Sequence, residues 1–310
     1  MSQALAFVFP GQGSQHLGML AELAESHSVI QDTFAEASEA LGYDLWNLVQ
    51  QGPEEELNKT EITQPALLTA GVALWRLWQE QGGALPAVMA GHSLGEYTAL
   101  VCAGAIGFAD GVRLVQARGR YMQQAVPAGT GAMAAILGLD DAAIADACEA
   151  AAQGQVVSPV NYNCPGQVVI AGEKDAVARA IDACKAAGAK RAVPLPVSVP
   201  SHCALMRPAA EQLSRDLAQI EVRAPQIPVV QNVDARVPES VEQLKDNLLA
   251  QLYSPVLWTE SVQAMIDQGV ETTLECGPGK VLSGLNKKVQ RSLNVAAINE
   301  PAGFAKALGE

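Results

Sequence analysis

A short apolar run, Leu85–Ala90, gives way to Gly91-His92-Ser93-Leu94-Gly95 and then to Glu96–Ala103, which has helical spacing. Strand, sharp glycine-rich turn, helix is the unit from which parallel sheets are built. A chain committed to that unit is an α/β protein. The G-x-S-x-G string is weak as a string, and its setting strengthens it. A serine between strand and helix has its Oγ exposed on a tight turn, with the next N–H, that of Leu94, free to face developing negative charge. The plainer reading is a glycine-rich turn with an ordinary serine.

The rest of the chain extends the pattern. Ala4–Phe9 predicts a first strand, ended by Pro10-Gly11-Gln12-Gly13-Ser14. It carries no basic leader and does not read as a signal peptide. Ala66–Gln79 predicts a helix with Pro65 at or near its first turn, where a missing N–H costs nothing. From Ala132 the rhythm changes: strand, Ala-rich helix (Asp140–Ala152), two strands around Asn163-Cys164-Pro165-Gly166, a second Ala-rich helix (Glu173–Ala187), and a last strand (Arg191–Leu195). That β-α-β-β-α-β order is ferredoxin-like. Prolines flank it, as they should an inserted unit, and the expected division is 1–127 with 198–310 as one body and 128–197 as the insertion. Val229–Val233 and Thr273–Glu275 return the chain to the α/β pattern.

A serine nucleophile needs a base, and there are four histidines. His16 and His27 come early, and His92 abuts the serine, so its side chain leaves the turn in another direction. His202 follows the insertion, as the histidine follows the serine in strand-to-helix hydrolases, and is the candidate base. No acid stands out as a third member. An imidazole oriented by a backbone carbonyl is the simpler arrangement. Arg118 is singled out by periodicity. On a helix through Asp110–Gln124 it shares a face with Leu114, Val115, Tyr121 and Met122, while Arg113 and Arg120 fall opposite. A guanidinium on an apolar face needs a partner, either an internal carboxylate or a carboxylate on a ligand.

Composition narrows the partners. Lys and Arg total 20 against 33 Asp and Glu, a net charge of −13, which argues against a nucleic-acid footprint. No run is long and apolar enough to predict a membrane span. The six cysteines are scattered without a CxxC pair, which fits a reducing cytoplasm, and no cluster has metal-ligand spacing. Gly11–His16 lacks the third glycine of a dinucleotide fingerprint, and Gly277-Pro278-Gly279-Lys280 lacks the spacing of a phosphate loop.

Several segments recur together elsewhere: Gly11–Gln15, Thr63–Ala66, Gly91–Tyr97, Gln116–Gly119, Asn161–Gly172, Ser201-His202 and Glu275–Lys280. In this order, nearly end to end, they resemble the malonyl-CoA:acyl carrier protein transacylase family of bacterial fatty-acid synthesis. The resemblance implies an α/β-hydrolase-like parallel-sheet core with an inserted ferredoxin-like subdomain. It also implies malonyl transfer from malonyl-CoA to the phosphopantetheine thiol of acyl carrier protein, through a malonyl-serine intermediate and without a permanently bound cofactor. It makes Ser93 the nucleophile, His202 the base oriented by the Gln251 carbonyl, and Arg118 the clamp for the malonyl carboxylate. The N–H groups of Gln12 and Leu94 become the oxyanion hole, and Gln64, Asn161 and Asn163 line the pocket. Two alternatives stay open: a serine thioesterase or esterase on the same turn, and a non-catalytic carrier-binding module. An acidic carrier must meet an acidic chain through a local patch. Lys280, Lys287, Lys288 and Arg291 are the candidates, against the plainer reading of a solvated helix face.

Overall fold

The computed structural model describes residues 4–197 and 199–309. Residue 198, where the main body is expected to resume after the insertion, lies outside the described residues, as do 1–3 and 310. The strands are β1 Ala4–Phe9, β2 Val88–Gly91, β3 Gly131–Leu137, β4 Val157–Cys164, β5 Gln167–Glu173, β6 Arg191–Pro194, β7 Val229–Val230, β8 Val270–Glu275 and β9 Asn294–Ala297.

Five of them form a parallel sheet in the order β7-β2-β1-β8-β9. Its central strand alternates between two cores. Phe7 and Phe9 face the helices on one side, and Ala6 and Val8 face Trp258 and Val262 on the other. Burial on both faces explains why β1 reads as a continuous apolar run. The helix Thr60–Glu80 fills the first side, and Trp75 and Trp78 meet the Phe7 ring edge-on at 5.3 and 5.4 Å. The direction in which successive strands are added reverses at β1, which has β2 on one side and β8 on the other. In open α/β sheets the crevice at the carboxyl ends of such strands is where ligands sit. The pairing Phe9↔Gly91 brings the loops after β1 and β2 out at the same level, side by side.

The other four strands form an antiparallel sheet, β4-β5-β3-β6, with the helices Asp141–Ala152 and Lys174–Ala186 packed on it around Ile136, Ile144, Val168 and Val177. This is the ferredoxin-like arrangement that the strand rhythm predicts. Its edge strand β4 is tied to the main body, since Val256 N–H donates to the Val160 carbonyl at 2.8 Å and Tyr162 N–H to the Val256 carbonyl at 3.0 Å. That seam carries Asn161 and Asn163 toward the carboxyl end of the parallel sheet.

Three local expectations are corrected. Pro65 is not in the first turn: the helix begins at Thr60, and Pro65 is its sixth residue. The segment just before the helix anchors that early turn, with Thr63 Oγ1 donating to the Leu57 carbonyl at 2.6 Å. The second strand begins at Val88, not Leu85, because pairing with β1 starts at Ala6↔Val88, and Leu85 is exposed. Asn163 and Cys164 belong to β4 instead of the turn after it.

Candidate active site

The turn after β2 needs both of its glycines for space. A Cβ on Gly91 would collide with the Gly95 carbonyl, and one on Gly95 with the Phe9 carbonyl oxygen. Between them Ser93 is held at φ 52°, ψ −110°, a conformation that costs an L-residue roughly 1–3 kcal/mol. Asn232, just past β7, clamps it in place. Its Oδ1 accepts from the Ser93 N–H at 2.8 Å and its Nδ2 donates to the Gly91 carbonyl at 2.7 Å.

His202 Nε2 lies 2.7 Å from Ser93 Oγ, and Nδ1 lies 2.6 Å from the Gln251 carbonyl oxygen. A carbonyl can only accept, so Nδ1 carries the proton and Nε2 is left as the acceptor for the serine hydroxyl. His202 has φ 62°, so both members of the dyad sit in backbone conformations that the surrounding fold must impose. Burial, assisted by the nearby Arg118 charge, pulls the imidazole down to about 3, and it is neutral near pH 7. No carboxylate is hydrogen-bonded to it among the described residues.

Arg118 is buried, while Arg113 and Arg120 on the same helix, Phe108–Gln124, are exposed. Its Nη1 donates to Gln64 Oε1 at 2.8 Å, and its Nη2 to Gln251 Oε1 at 2.9 Å and to Ser93 Oγ at 3.3 Å. The guanidinium lies over the Tyr97 ring, 5.1 Å from its centroid. Among the described residues no carboxylate is within ion-pair distance, and Nε has no partner. Burial depresses its pKa. The internal ion pair that the sequence left open is therefore absent among these residues. A buried cation solvated by amide oxygens beside a nucleophile is set to receive an anion.

The other expected residues divide. No acceptor among the described residues takes the N–H of Gln12, three residues past the end of β1, or that of Leu94, directly after Ser93. Asn163 turns its Oδ1 to His92 Nε2 at 2.8 Å, and the His92 ring packs on Trp258, away from the dyad as the sequence predicts. Asn161 keeps a buried Oδ1 without a partner among the described residues. The turn Gly277–Gly279 packs on Pro10 and Ser14, so Lys280 emerges beside the Gln12 loop. Lys287 and Lys288 lie at the far end of the helix Val281–Val289. There Lys287 Nζ donates to the Leu293 carbonyl at 2.8 Å and Lys288 Nζ to Gln167 Oε1 at 3.4 Å. Arg291 is exposed just beyond. No group of His, Cys, Asp and Glu among the described residues could hold a metal, and no helix is long and apolar enough to cross a membrane.

The chain is similar to known proteins over nearly its whole length. The acyl transferase domain family matches residues 6–302. The malonyl CoA-acyl carrier protein transacylase of Escherichia coli K12 is 67% identical over 303 residues, 98% of each chain. The chain belongs to this acyltransferase family. The Bacillus subtilis transacylase is 48% identical over 298 residues, 96% of this chain and 94% of that one. A crystal structure of an acyl carrier protein S-malonyltransferase from Vibrio cholerae superposes with TM-score 0.96 at 64% identity, covering 97% of this chain and 99% of that one. A malonyl-transacylase solved in complex with a type II PKS acyl-carrier protein gives 0.98 at 63% identity, with 99% of both chains covered.

Reading the sequence of this acyltransferase missed Glu96, Gln231 and Asn232, and of Gln251 it found only the carbonyl. Glu96 could have been found. It is the one charged residue of the helix Leu94–Cys102, the same signal that exposed Arg118. Gln231, Asn232 and the Gln251 side chain carry no such mark, because neutral polar residues next to short strands and at helix ends are common in loops.

Proposed function

We propose that this chain transfers a malonyl group from malonyl-CoA to the phosphopantetheine thiol of an acyl carrier protein, supplying fatty-acid synthesis. One observation carries the reading: the Ser93 hydroxyl contacts both a neutral, carbonyl-oriented imidazole and a buried guanidinium that lacks a carboxylate. His202 Nε2 takes the proton as Ser93 Oγ attacks the thioester carbonyl. The N–H groups of Gln12 and Leu94 receive the oxyanion. Collapse breaks the C–S bond, and the CoA thiolate leaves with the proton from His202, giving CoA thiol and a malonyl-Ser93 ester. The carrier thiol then attacks that ester by the same steps in reverse. One thioester replaces another, so the reaction runs both ways and the protein's task is to hold the acyl group while carriers exchange.

Arg118 binds the distal carboxylate as a fork, with Gln64 and Gln251 holding the guanidinium. The carboxylate also offsets the charge that depresses His202, so substrate binding makes the base stronger when it is needed. Asn161 supplies an amide to the pocket from β4, and Asn163 supports that wall through His92. The chain divides into a catalytic body, 1–127 with 198–310, and a ferredoxin-like insertion, 128–197. It works in the cytoplasm, and the only prosthetic group involved arrives on the carrier. The carrier docks on Lys280, Lys287, Lys288 and Arg291.

Intact mass after incubation with malonyl-CoA alone tests the reading. The expected result is a malonyl adduct, absent in Ser93→Ala and discharged by carrier protein. Free malonate released without carrier would make the protein a hydrolase, and binding without an adduct would make it a carrier-binding module.

A further inference from the structure

Glu96 is three residues after the nucleophile, fully buried, and has no ion pair among the described residues. Burying a carboxylate without a counter-ion is costly, so its partners must compensate. All of them are neutral donors. The Asn232 N–H donates to Oε2 at 2.7 Å, Gln251 Nε2 to the same oxygen at 3.1 Å, and Gln231 Nε2 to Oε1 at 3.0 Å.

Two of those partners are the residues that orient the reacting groups. Gln251 Nε2 also faces the Ser93 carbonyl at 3.0 Å and Asn232 Oδ1 at 3.3 Å, which leaves its Oε1 for Arg118. Turning that amide over would set its oxygen against three acceptors and its nitrogen against a guanidinium. The Asn232 side chain is constrained in the same sense, with oxygen toward the Ser93 N–H and nitrogen toward the Gly91 carbonyl. An amide has no intrinsic preference between its two orientations, so a group that can only accept must set the direction. For Gln251 the ionised Glu96 carboxylate is such a group, acting with the Ser93 carbonyl on the amide nitrogen, while Glu96 holds Asn232 through its backbone N–H.

We propose that Glu96 is a positioning residue for malonyl selection: it aims the Gln251 oxygen at Arg118 and steadies Asn232 against the Ser93 turn. This rests on the malonyl-transfer reading above. A protonated or amidated side chain would present a donor to at least one of the three donors around it and loosen the whole set. Burial pushes the Glu96 carboxyl up to about 7, which brings that change into reach near neutral pH. The titratable groups that act on it are Arg118, from the helix Phe108–Gln124, and Tyr97 on its own helix. Gln231, Asn232 and Gln251 are neutral.

The test is the rate of Ser93 acylation by malonyl-CoA and by acetyl-CoA, read by rapid quench and intact mass from pH 5.5 to 8.5. In the unaltered protein the malonyl-to-acetyl ratio is expected to fall several-fold as pH drops through about 7. In Glu96→Gln it should be at least tenfold lower at pH 8 and flat with pH, and Glu96→Asp should restore part of both. Thermal unfolding of each variant separates this from loss of fold. A ratio independent of pH in the unaltered protein overturns the proposal without any variant being needed. So does a Glu96→Gln protein with the normal ratio, or one that loses both acylations equally. If the unaltered protein forms no malonyl adduct, the malonyl-transfer reading itself has failed.

Discussion

Replacing Arg118 with Ala separates a substrate clamp from a buried structural cation. With malonyl bound, the guanidinium and the carboxylate form a buried pair, and deleting one partner of such a pair costs about 3–5 kcal/mol. At 1.36 kcal/mol per decade this slows malonyl transfer to Ser93 by roughly 150- to 5,000-fold. Acetyl-CoA brings no carboxylate, so it loses only the 3.3 Å contact from Arg118 Nη2 to Ser93 Oγ, about 1 kcal/mol or fivefold. Selectivity should therefore fall by one and a half to three decades. The variant leaves Gln64 Oε1 and Gln251 Oε1 without their donor, so the unfolding temperature should drop as well. The assay is single-turnover release of CoA from each thioester, at a temperature where circular dichroism shows the variant folded. Equal losses on malonyl-CoA and acetyl-CoA would refute the clamp and make Arg118 a structural residue. Arg118→Lys should recover charge but not the fork, and fall between the two.

Two further outcomes are expected. His202 is depressed from 6.5 to about 3 and Glu96 raised from 4.5 to about 7, both by burial. The unfolded chain therefore binds one more proton at His202 between pH 3 and 6.5, and stability there rises with pH. The folded chain binds one more at Glu96 between 4.5 and 7, and stability there falls with pH. From 4.5 to 6.5 the two slopes oppose each other. Relative to the unaltered protein, Glu96→Gln should add a positive slope of up to about 1.4 kcal/mol per pH unit, and His202→Asn a negative one, in denaturant midpoints across that window. Matching slopes in both variants would show that neither group titrates as its burial requires. At the basic helix, Lys287→Glu with Lys288→Glu should raise KM for carrier protein and flatten its dependence on salt, with malonyl-CoA acylation unchanged. An unaltered carrier half-reaction would move docking elsewhere, and the bonds from Lys287 to Leu293 and from Lys288 to Gln167 would then account for both residues.

Much of this protein was determined locally and could be read in order along the chain. Strand, glycine turn and helix around Ser93 is a short-range pattern, because only glycine permits the approach of Gly95 to the Phe9 carbonyl. The β-α-β-β-α-β rhythm of the insertion is likewise written in adjacent segments. So is the burial of Arg118, because a helix of known pitch turns sequence spacing into faces. The tertiary structure decided what those residues meet. Whether a buried guanidinium meets a carboxylate or amide oxygens is decided by residues such as Gln64 and Gln251, 54 and 133 positions away. The direction of each amide depends on the Ser93 turn, Arg118 and Glu96 meeting Asn232 and Gln251 from separate segments. Periodicity reports which way a side chain points; it carries no record of what arrives there from elsewhere in the chain.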